Sequence, residues 1–285
     1  MNVEKIDISV IIPMYNAEKY ISETMHSILF QQPHDFIFEI IVVNDCSTDK
    51  SLQIVSEIND NRIKIIDLKK NVGLSEARNA GIKKAKGTWL EFVDSDDKIC
   101  SDLFKIFEAS LDKEHNVFLF SVIHEFKNHH LQQEVIKIRD KRSFSHFSIV
   151  MKYFIKRDIC IPFEPGYLHE DIIFNFEMIR KGNLKIKLIN DAYYLYNRKN
   201  EQSITANFNS REYLKMYNYI YNRIYQCDKL TKMFVLETFV GIIFSDLIPK
   251  FVSIRIAFKT IIKLYRYLPD VLSNGIRGDR LNKIS

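Results

Sequence analysis

Short apolar runs alternate with helical patterns through the first hundred residues, and this alternation constrains the fold most strongly. Each of the runs 8–12, 38–43, 63–68 and 89–93 predicts a buried strand, because it is short and rich in β-branched or large apolar side chains. Amphipathic segments between the runs predict helices. Strands that alternate with helices typically form a parallel sheet covered on both faces. The sequence therefore predicts an α/β fold with a mostly parallel sheet flanked by helices.

The pattern changes near residue 208, where strands give way to helical stretches rich in tyrosine, isoleucine and lysine. The chain has 285 residues, of which 46% are hydrophobic and 27% charged, so it can bury a sizeable core and is not a disordered chain. We therefore predict an α/β domain over residues 1–208 and a helical C-terminal region over residues 209–285.

Cysteine spacing and hydropathy indicate in which cellular compartment the protein is expected. The four cysteines are scattered without ligand-like spacing, which argues against a disulfide framework or a zinc site and favours a reducing cytoplasm. A spanning helix needs about 18 consecutive apolar residues. The most apolar candidate, 233–251, is interrupted by Glu237, Asp246 and Lys250. We expect a cytoplasmic protein that can lie on the inner face of the plasma membrane but does not span it.

Carboxylates follow the predicted strands. Asp45 follows the second strand, and Asp94, Asp96 and Asp97 follow the fourth. Ligands of open α/β sheets bind outside the carboxyl ends of the strands. Mg²⁺ and Mn²⁺ prefer oxygen ligands and often bind through one or two carboxylates plus substrate phosphates. From the residues alone, two interpretations stay open: these aspartates cap helices, or they bind a divalent cation beside a phosphorylated ligand.

Five ordered segments resemble the motifs of family 2 glycosyltransferases. They are 8–16 (ISVIIPMYN), 39–49 (EIIVVNDCSTD), 71–81 (NVGLSEARNAG), 87–97 (GTWLEFVDSDD) and 168–171 (LHED). The resemblance implies a GT-A-like, Rossmann-like fold and a nucleotide-sugar donor, most simply a UDP-sugar. The sequence has no Gly-rich phosphate loop, so cations must neutralise the donor phosphates instead.

The resemblance also implies roles for individual residues. Seven would bind the donor: Pro13, Tyr15, Asp45, Arg78, Asp94, Arg198 and Ser203. Among them, Asp45 would recognise the uracil base, while Arg198 and Ser203 would hold the phosphates. Asp96 would bind the divalent metal ion, Mn²⁺ or Mg²⁺, that bridges the diphosphate. Asn44 stands where many family members carry aspartate, and we expect this departure to have little effect.

Glu170 and Asp171 precede a helical pattern over 172–181. An isolated acidic pair here could simply complement the helix dipole. The resemblance implies instead that the pair lies beside the acceptor and that Asp171 is the general base, with inversion at the anomeric carbon. The expected enzyme is a hexosyl- or N-acetylhexosaminyltransferase acting on a glycan or lipid-linked acceptor in cell-surface polysaccharide biosynthesis. The alternative is a non-catalytic membrane-surface scaffold, against which the intact acidic motifs argue.

The segment 250–268 predicts an amphipathic helix with one basic stripe. The stripe is Arg255, Lys259, Lys263 and Arg266. Eight basic and two acidic side chains lie from residue 250 onward, so this end carries all of the basic excess behind the chain's formal net charge of +5. Such a helix can lie in a membrane interface, giving peripheral membrane association, or it can pack on the catalytic domain with the stripe in water. Nucleic acid is not an expected partner, because the apolar face is extensive and no aromatic-basic platform is evident.

Overall fold

A computed structural model of the chain describes residues 5–126, 131–134, 152–200, 210–223 and 226–227. Its contacts divide the chain into two compact units, Met1–Met216 and Tyr217–Ser285, and the sheet belongs to the first unit. The strands of the described residues are β1 (Ile8–Met14), β2 (Phe38–Asn44), β3 (Ile63–Asp67), β4 (Trp89–Phe92), β5 (Lys98–Ile99), β6 (Val117–Glu125), β7 (Leu131–Glu134), β8 (Tyr153–Lys156) and β9 (Ile186–Asn197). The helices are α1 (Ile21–Leu29), α2 (Ser51–Ser56), α3 (Leu74–Lys84), α4 (Leu103–Ser110), α5 (Glu170–Lys181) and α6 (Ser210–Tyr221).

All nine strands belong to one sheet, in the order β3-β2-β1-β4-β8-β6-β9-β5, with β7 paired to β6. The four N-terminal strands are parallel to one another, as the sequence predicts. The second half is mixed: β8 runs antiparallel to both β4 and β6, whereas β9 runs parallel to β6 and antiparallel to β5. The predicted α/β fold is confirmed.

The carboxyl ends of β1 to β4 lie at the same edge of the sheet, because these strands are parallel. Helix α3 packs closely on β1 and β2. A Cβ atom added at Gly81 of α3 would lie 2.4 Å from Cγ2 of Ile11 on β1, so only glycine allows this approach. Strand β3 differs from expectation: it is an edge strand with only partial burial, and Ile65 is exposed.

The two faces of β4 contact different aromatic side chains. The Trp89 ring packs edge-on against Phe107 and Phe118, whereas the Phe92 ring packs edge-on against Phe163 and Phe174. Successive strand residues alternate between faces, so Glu91 lies on the same face of β4 as Trp89. Glu91 is 0% exposed, and neither carboxylate oxygen meets a hydrogen-bond donor among the described residues.

Burial raises the pKa of Glu91 well above its ordinary value. At pH values below the ordinary glutamate pKa, Glu91 is protonated in both the folded and the unfolded chain, so its ionisation does not affect stability. As the pH rises above that value, the unfolded chain releases the proton while the folded chain retains it, so stability falls. The loss continues until the pH passes the raised folded pKa, with a slope of at most about 1.4 kcal/mol per pH unit.

We therefore expect Glu91→Gln to raise the melting temperature relative to wild type, by a margin that is larger at pH 8 than at pH 5. Glutamine keeps the shape of the side chain but cannot ionise, so it removes this pH-dependent penalty. Thermal unfolding across this pH range measures the difference. Glu114→Gln, at an exposed position, is the matched control and should show a flat difference. A flat difference for Glu91→Gln would contradict the prediction.

Two sequence predictions lie outside the described residues. They are the domain boundary near residue 208 and the amphipathic helix over 250–268, and both stay predictions. Among the residues that the structure describes, no helix is both long enough and apolar enough to cross a membrane.

Candidate active site

Hydrogen bonds join the loops that follow β1 and β2. The backbone N–H of Asn16 donates to Oγ of Ser47 at 3.1 Å, and Oδ1 of Asn16 accepts from the backbone N–H of Thr48 at 2.8 Å. The turn places two predicted donor-binding residues at the sheet edge. Pro13 is buried within β1, whereas Tyr15, the first residue after β1, is 50% exposed. Tyr15 thus presents an open aromatic surface beside the carboxyl end of the first strand.

Asp45 is buried at the end of β2 and holds the loop that leads into α3. Its two carboxylate oxygens accept hydrogen bonds from the backbone N–H groups of Val72 at 2.7 Å and Gly73 at 2.9 Å. Gly73 has a φ of +86°, a conformation that favours glycine. A carboxylate has about four lone-pair sites, so these two bonds leave about two sites for further donors.

Asn44 has a local partner that explains the departure from aspartate. Its Nδ2 donates to Oδ1 of Asp67 on β3 at 2.8 Å, and its Oδ1 accepts from the backbone N–H of Ser47 at 3.2 Å. An aspartate at position 44 would place a second carboxylate against Asp67. The amide therefore suits this pair of strands, and the little effect expected of Asn44 stays a prediction.

Arg78 links two regions that are distant in sequence. It projects from α3, is 0% exposed, and donates from Nη2 to Asp94 at 2.9 Å and from Nη1 to Glu170 at 2.6 Å. Its guanidinium carbon lies 5.2 Å from the centre of the Phe163 ring. Burial alone would lower the pKa of Arg78, but the two carboxylates outweigh that effect and raise it above its ordinary value. Arg78 is thus a permanent buried cation between the predicted donor and acceptor motifs.

The loop after β4 contains the three acidic residues that the sequence singles out. Asp97 is buried, and its backbone N–H donates to the carbonyl of Asp94 at 3.1 Å, which closes a turn around Asp96. Oγ1 of Thr24, on α1, donates to the carbonyl of Asp97 at 2.8 Å. Burial raises the pKa of Asp97 well above its ordinary value, and repulsion from Asp96 and Asp94 adds to this effect.

Asp96 is partly buried and lies beside a second carboxylate. Burial raises its pKa, and repulsion from Asp94 raises it further. Its Oδ2 accepts a hydrogen bond from Nδ2 of Asn200 at 2.7 Å. No group of three or more histidine, cysteine, aspartate or glutamate side chains able to hold a metal lies within the described ranges. A cation here would therefore need ligands from the substrate as well as from the protein.

Glu170 and Asp171 begin α5. Glu170 is buried, and burial raises its pKa although Arg78 offsets part of that effect. Asp171 is half-buried, and its Oδ1 accepts from the backbone N–H of Ile172 at 2.8 Å. Burial raises the pKa of Asp171 well above its ordinary value, and repulsion from Glu170 adds to it. A carboxyl group of this kind holds and releases its proton nearer to neutral pH than an ordinary aspartate does.

The two predicted phosphate-binding residues differ in what the structure describes. Arg198 is exposed just after β9, where its Nε donates to Nδ1 of His124 at 3.2 Å and its guanidinium carbon lies 4.7 Å from the centre of the Tyr196 ring. Ser203 lies outside the described residues. The structure thus brings Asp94, Arg78 and Glu170 into one cluster, while Arg198 faces solvent.

Sequence reasoning missed several side chains that hold the acidic loop. Thr24, Tyr194 and Asn200 belong to segments without a recognisable motif: an amphipathic helix, a strand and the turn after it. Only the short distance in sequence from Asn200 to Arg198 could have pointed to this group.

Comparisons with known proteins identify the family and the fold. The family model described as Glycosyl transferase family 2 matches residues 9–199. The poly(ribitol-phosphate) beta-N-acetylglucosaminyltransferase TarS of Staphylococcus aureus strain Mu50 is 33% identical over an alignment of 206 residues that covers 68% of this chain and 36% of TarS. The uncharacterized glycosyltransferase EpsJ of Bacillus subtilis strain 168 is 31% identical over an alignment of 225 residues that covers 70% of this chain and 62% of EpsJ.

Among solved structures, TarS is again similar to this chain. The crystal structure of S. aureus TarS 1–349 in complex with UDP-GlcNAc superposes with a TM-score of 0.72 and 26% identity, covering 84% of this chain and 73% of that one. The chain spans about a third of full-length TarS and less than two thirds of EpsJ. Because the family model covers more than half of the sequence and the fold matches that of TarS, the chain belongs to glycosyl transferase family 2 and has the GT-A fold.

Proposed function

We propose that this protein is an inverting glycosyltransferase that moves a hexosyl or N-acetylhexosaminyl group from a UDP-sugar to a glycan or lipid-linked acceptor in cell-surface polysaccharide biosynthesis. The observation that carries the proposal is the buried Arg78, which joins Asp94 of the predicted donor site to Glu170 of the predicted acceptor site. TarS is named as an N-acetylglucosaminyltransferase and was crystallised with UDP-GlcNAc, which supports a donor of this class.

The donor would lie along the carboxyl edge of β1 to β4. Asp45 would accept a hydrogen bond from the base, and Pro13 and Tyr15 would flank it. Asp94 would face the ribose. Arg198, whose guanidinium is always charged, would pair with the phosphates, together with Ser203. Arg78 is fully buried, so we propose that it acts on the donor site by holding Asp94 in place. The direct contact between Arg78 and the uracil base that the resemblance implies stays a prediction.

The residues present fit a hard divalent cation. Asp96 and Asp94 are neighbouring carboxylates, and burial together with repulsion from Asp94 raises the pKa of Asp96, so a cation would lower the free energy of the ionised pair. Mn²⁺ and Mg²⁺ bind through few protein carboxylates when phosphate oxygens complete the shell, which agrees with this site. When bound, the metal supplies charge stabilisation for the departing diphosphate.

Asp171 would act as the base. Its carboxylate takes the proton from the acceptor hydroxyl as that oxygen forms a bond to the anomeric carbon. The bond from that carbon to the diphosphate oxygen breaks with its electron pair remaining on UDP, and the configuration inverts. The raised pKa of Asp171 suits this role, because a base is most effective when its pKa lies near the working pH.

Nucleotide binding tests the donor site directly. We expect UDP with Mn²⁺ to raise the melting temperature of the wild-type protein, because a ligand present at about 100 times its Kd adds about 2.7 kcal/mol to the free energy of unfolding. Asp96→Asn should remove most of this shift, since it deletes the ionised metal ligand and little volume. Asp158→Asn, at an exposed position, is the matched control and should retain it.

An unchanged melting temperature in millimolar UDP and Mn²⁺ would contradict a UDP-sugar donor. A shift that survives Asp96→Asn would instead contradict the assignment of the metal ligand. Release of UDP from a panel of UDP-sugars then identifies the sugar. Liposome binding without turnover of any nucleotide-sugar would favour the non-catalytic membrane-surface scaffold, whose predicted contact is the segment 250–268.

A further inference from the structure

The end of β9 contacts the acidic loop at several points. Strand β5 follows this loop directly and pairs antiparallel with β9, so that Lys98 faces Leu195 and Ile99 faces Tyr194. This pairing places Tyr194, 97 residues away in sequence, against Asp97. The position of Tyr194 at the loop is therefore fixed by the sheet itself.

The Tyr194 hydroxyl makes two hydrogen bonds to the loop. It donates to Oδ2 of Asp97 at 2.6 Å and accepts from the backbone N–H of Asp94 at 3.1 Å. The other oxygen of Asp97 accepts from the backbone N–H of Asn197 at 2.7 Å. Tyr194 and Asp97 are both buried. One hydroxyl thus joins the first and last residues of the turn that carries Asp96.

Asn200 extends the same arrangement to Asp96 itself. Its side-chain amide donates to Oδ2 of Asp96 at 2.7 Å, which fixes the plane of that carboxylate. Hydrogen bonds to a metal-binding carboxylate orient it, and losing one typically costs 10–100-fold in metal affinity. Tyr194 holds the backbone N–H of Asp94 and the side chain of Asp97, on either side of Asp96, and Asn200 holds the side chain of Asp96.

We propose that Tyr194 and Asn200 are positioning residues that preset Asp96 for the divalent metal. This assignment rests on the proposed function, because it takes Asp96 as the metal ligand. If Tyr194 and Asn200 only stabilised the fold, their substitution would lower the melting temperature without changing the affinity for the metal. The two roles therefore predict different results for the same substitution.

The test is the apparent Kd for Mn²⁺ of the full chain, measured by thermal shift at saturating UDP and by the electron paramagnetic resonance signal of free Mn²⁺. We expect Tyr194→Phe and Asn200→Ala each to raise this Kd by about 10-fold or more. Tyr153→Phe, on β8, is the matched control, because its buried hydroxyl donates at 2.9 Å to Oδ1 of Asn175 on α5 rather than to the acidic loop. It should lower the melting temperature and leave the Kd for Mn²⁺ within about twofold of wild type.

The outcomes separate this assignment from the proposed function. A wild-type Kd for Mn²⁺ in Tyr194→Phe, with a melting temperature lowered as in Tyr153→Phe, would overturn the positioning role of Tyr194 alone. An unchanged Kd in Asn200→Ala would do the same for Asn200. If the wild-type protein bound UDP without any dependence on Mn²⁺, the metal requirement and this assignment would both fall, while the donor site would stand.

Discussion

Replacing Arg78 with methionine is expected to lower the free energy of unfolding by about 3–5 kcal/mol, or about 10 °C in melting temperature. The guanidinium is the shared partner of Asp94 and Glu170, and methionine fills a similar volume without any donor. Two carboxylates would then remain close together, one of them 7% exposed, without the cation that neutralises them. Circular dichroism during thermal unfolding measures the loss.

Two further variants identify the cause of that loss. Arg62→Met removes an arginine whose ion pair with Asp60 is partly exposed, and we expect it to cost only about 1 kcal/mol. The double variant Arg78→Met/Glu170→Gln should be more stable than Arg78→Met alone, because it removes one of the two carboxylates that have lost their cation. A loss in Arg78→Met no larger than in Arg62→Met would show that the buried network contributes little.

Asp171→Asn is expected to reduce kcat for sugar transfer by about 10²–10⁴-fold, because asparagine cannot take the proton from the acceptor hydroxyl. The thermal shift with UDP and Mn²⁺ should stay at the wild-type value, since Asp171 is assigned to the acceptor side. Measured release of UDP in the presence of acceptor gives the rate. A kcat within about tenfold of wild type would contradict its role as the base.

The pH dependence of kcat provides a second test of Asp171. The base must be ionised to work, so kcat should fall as the pH drops through the pKa of Asp171. Because burial and Glu170 raise that pKa, the acid limb should lie above the ordinary aspartate value of about 3.9. A profile that stays flat down to that value would mean that another group takes the proton.

The parallel half of the fold could be predicted from the sequence for a physical reason. Strands β1, β2 and β4 are buried on both faces, so each appears as a short, mostly apolar run that no loop resembles. Parallel strands also place their carboxyl ends together, which is why the edge carrying Asp45 and Asp94 was predictable. The sequence also predicts strand β3, but its edge position differs from the expected burial. Lys64 and Asp67 are the residues of this strand whose types favour exposure, and the exposed Ile65 has the same type as residues buried in the central strands.

The second half of the sheet could not be predicted in this way. Its pairings join segments far apart in sequence, such as β6 with β9, and periodicity contains no information about which strands pair. The cluster around Arg78 could not be predicted for the same reason. Arg78 lies in a recognised motif, but its partner Glu170 is 92 residues away in sequence. The role proposed for Tyr194 could not be predicted either, because the sequence of β9 resembles that of any strand in a hydrophobic core.

The pairing of β5 with β9 has a consequence for the order of folding. The turn around Asp96 reaches its final shape only when Tyr194 and Asn197 dock, and these hydrogen bonds close separations of 97 to 100 residues. Closing such long loops is slow compared with forming local contacts. During synthesis, where N-terminal segments emerge first, the nascent chain can form its parallel half early but completes the proposed metal-binding turn only after residue 200 has left the ribosome.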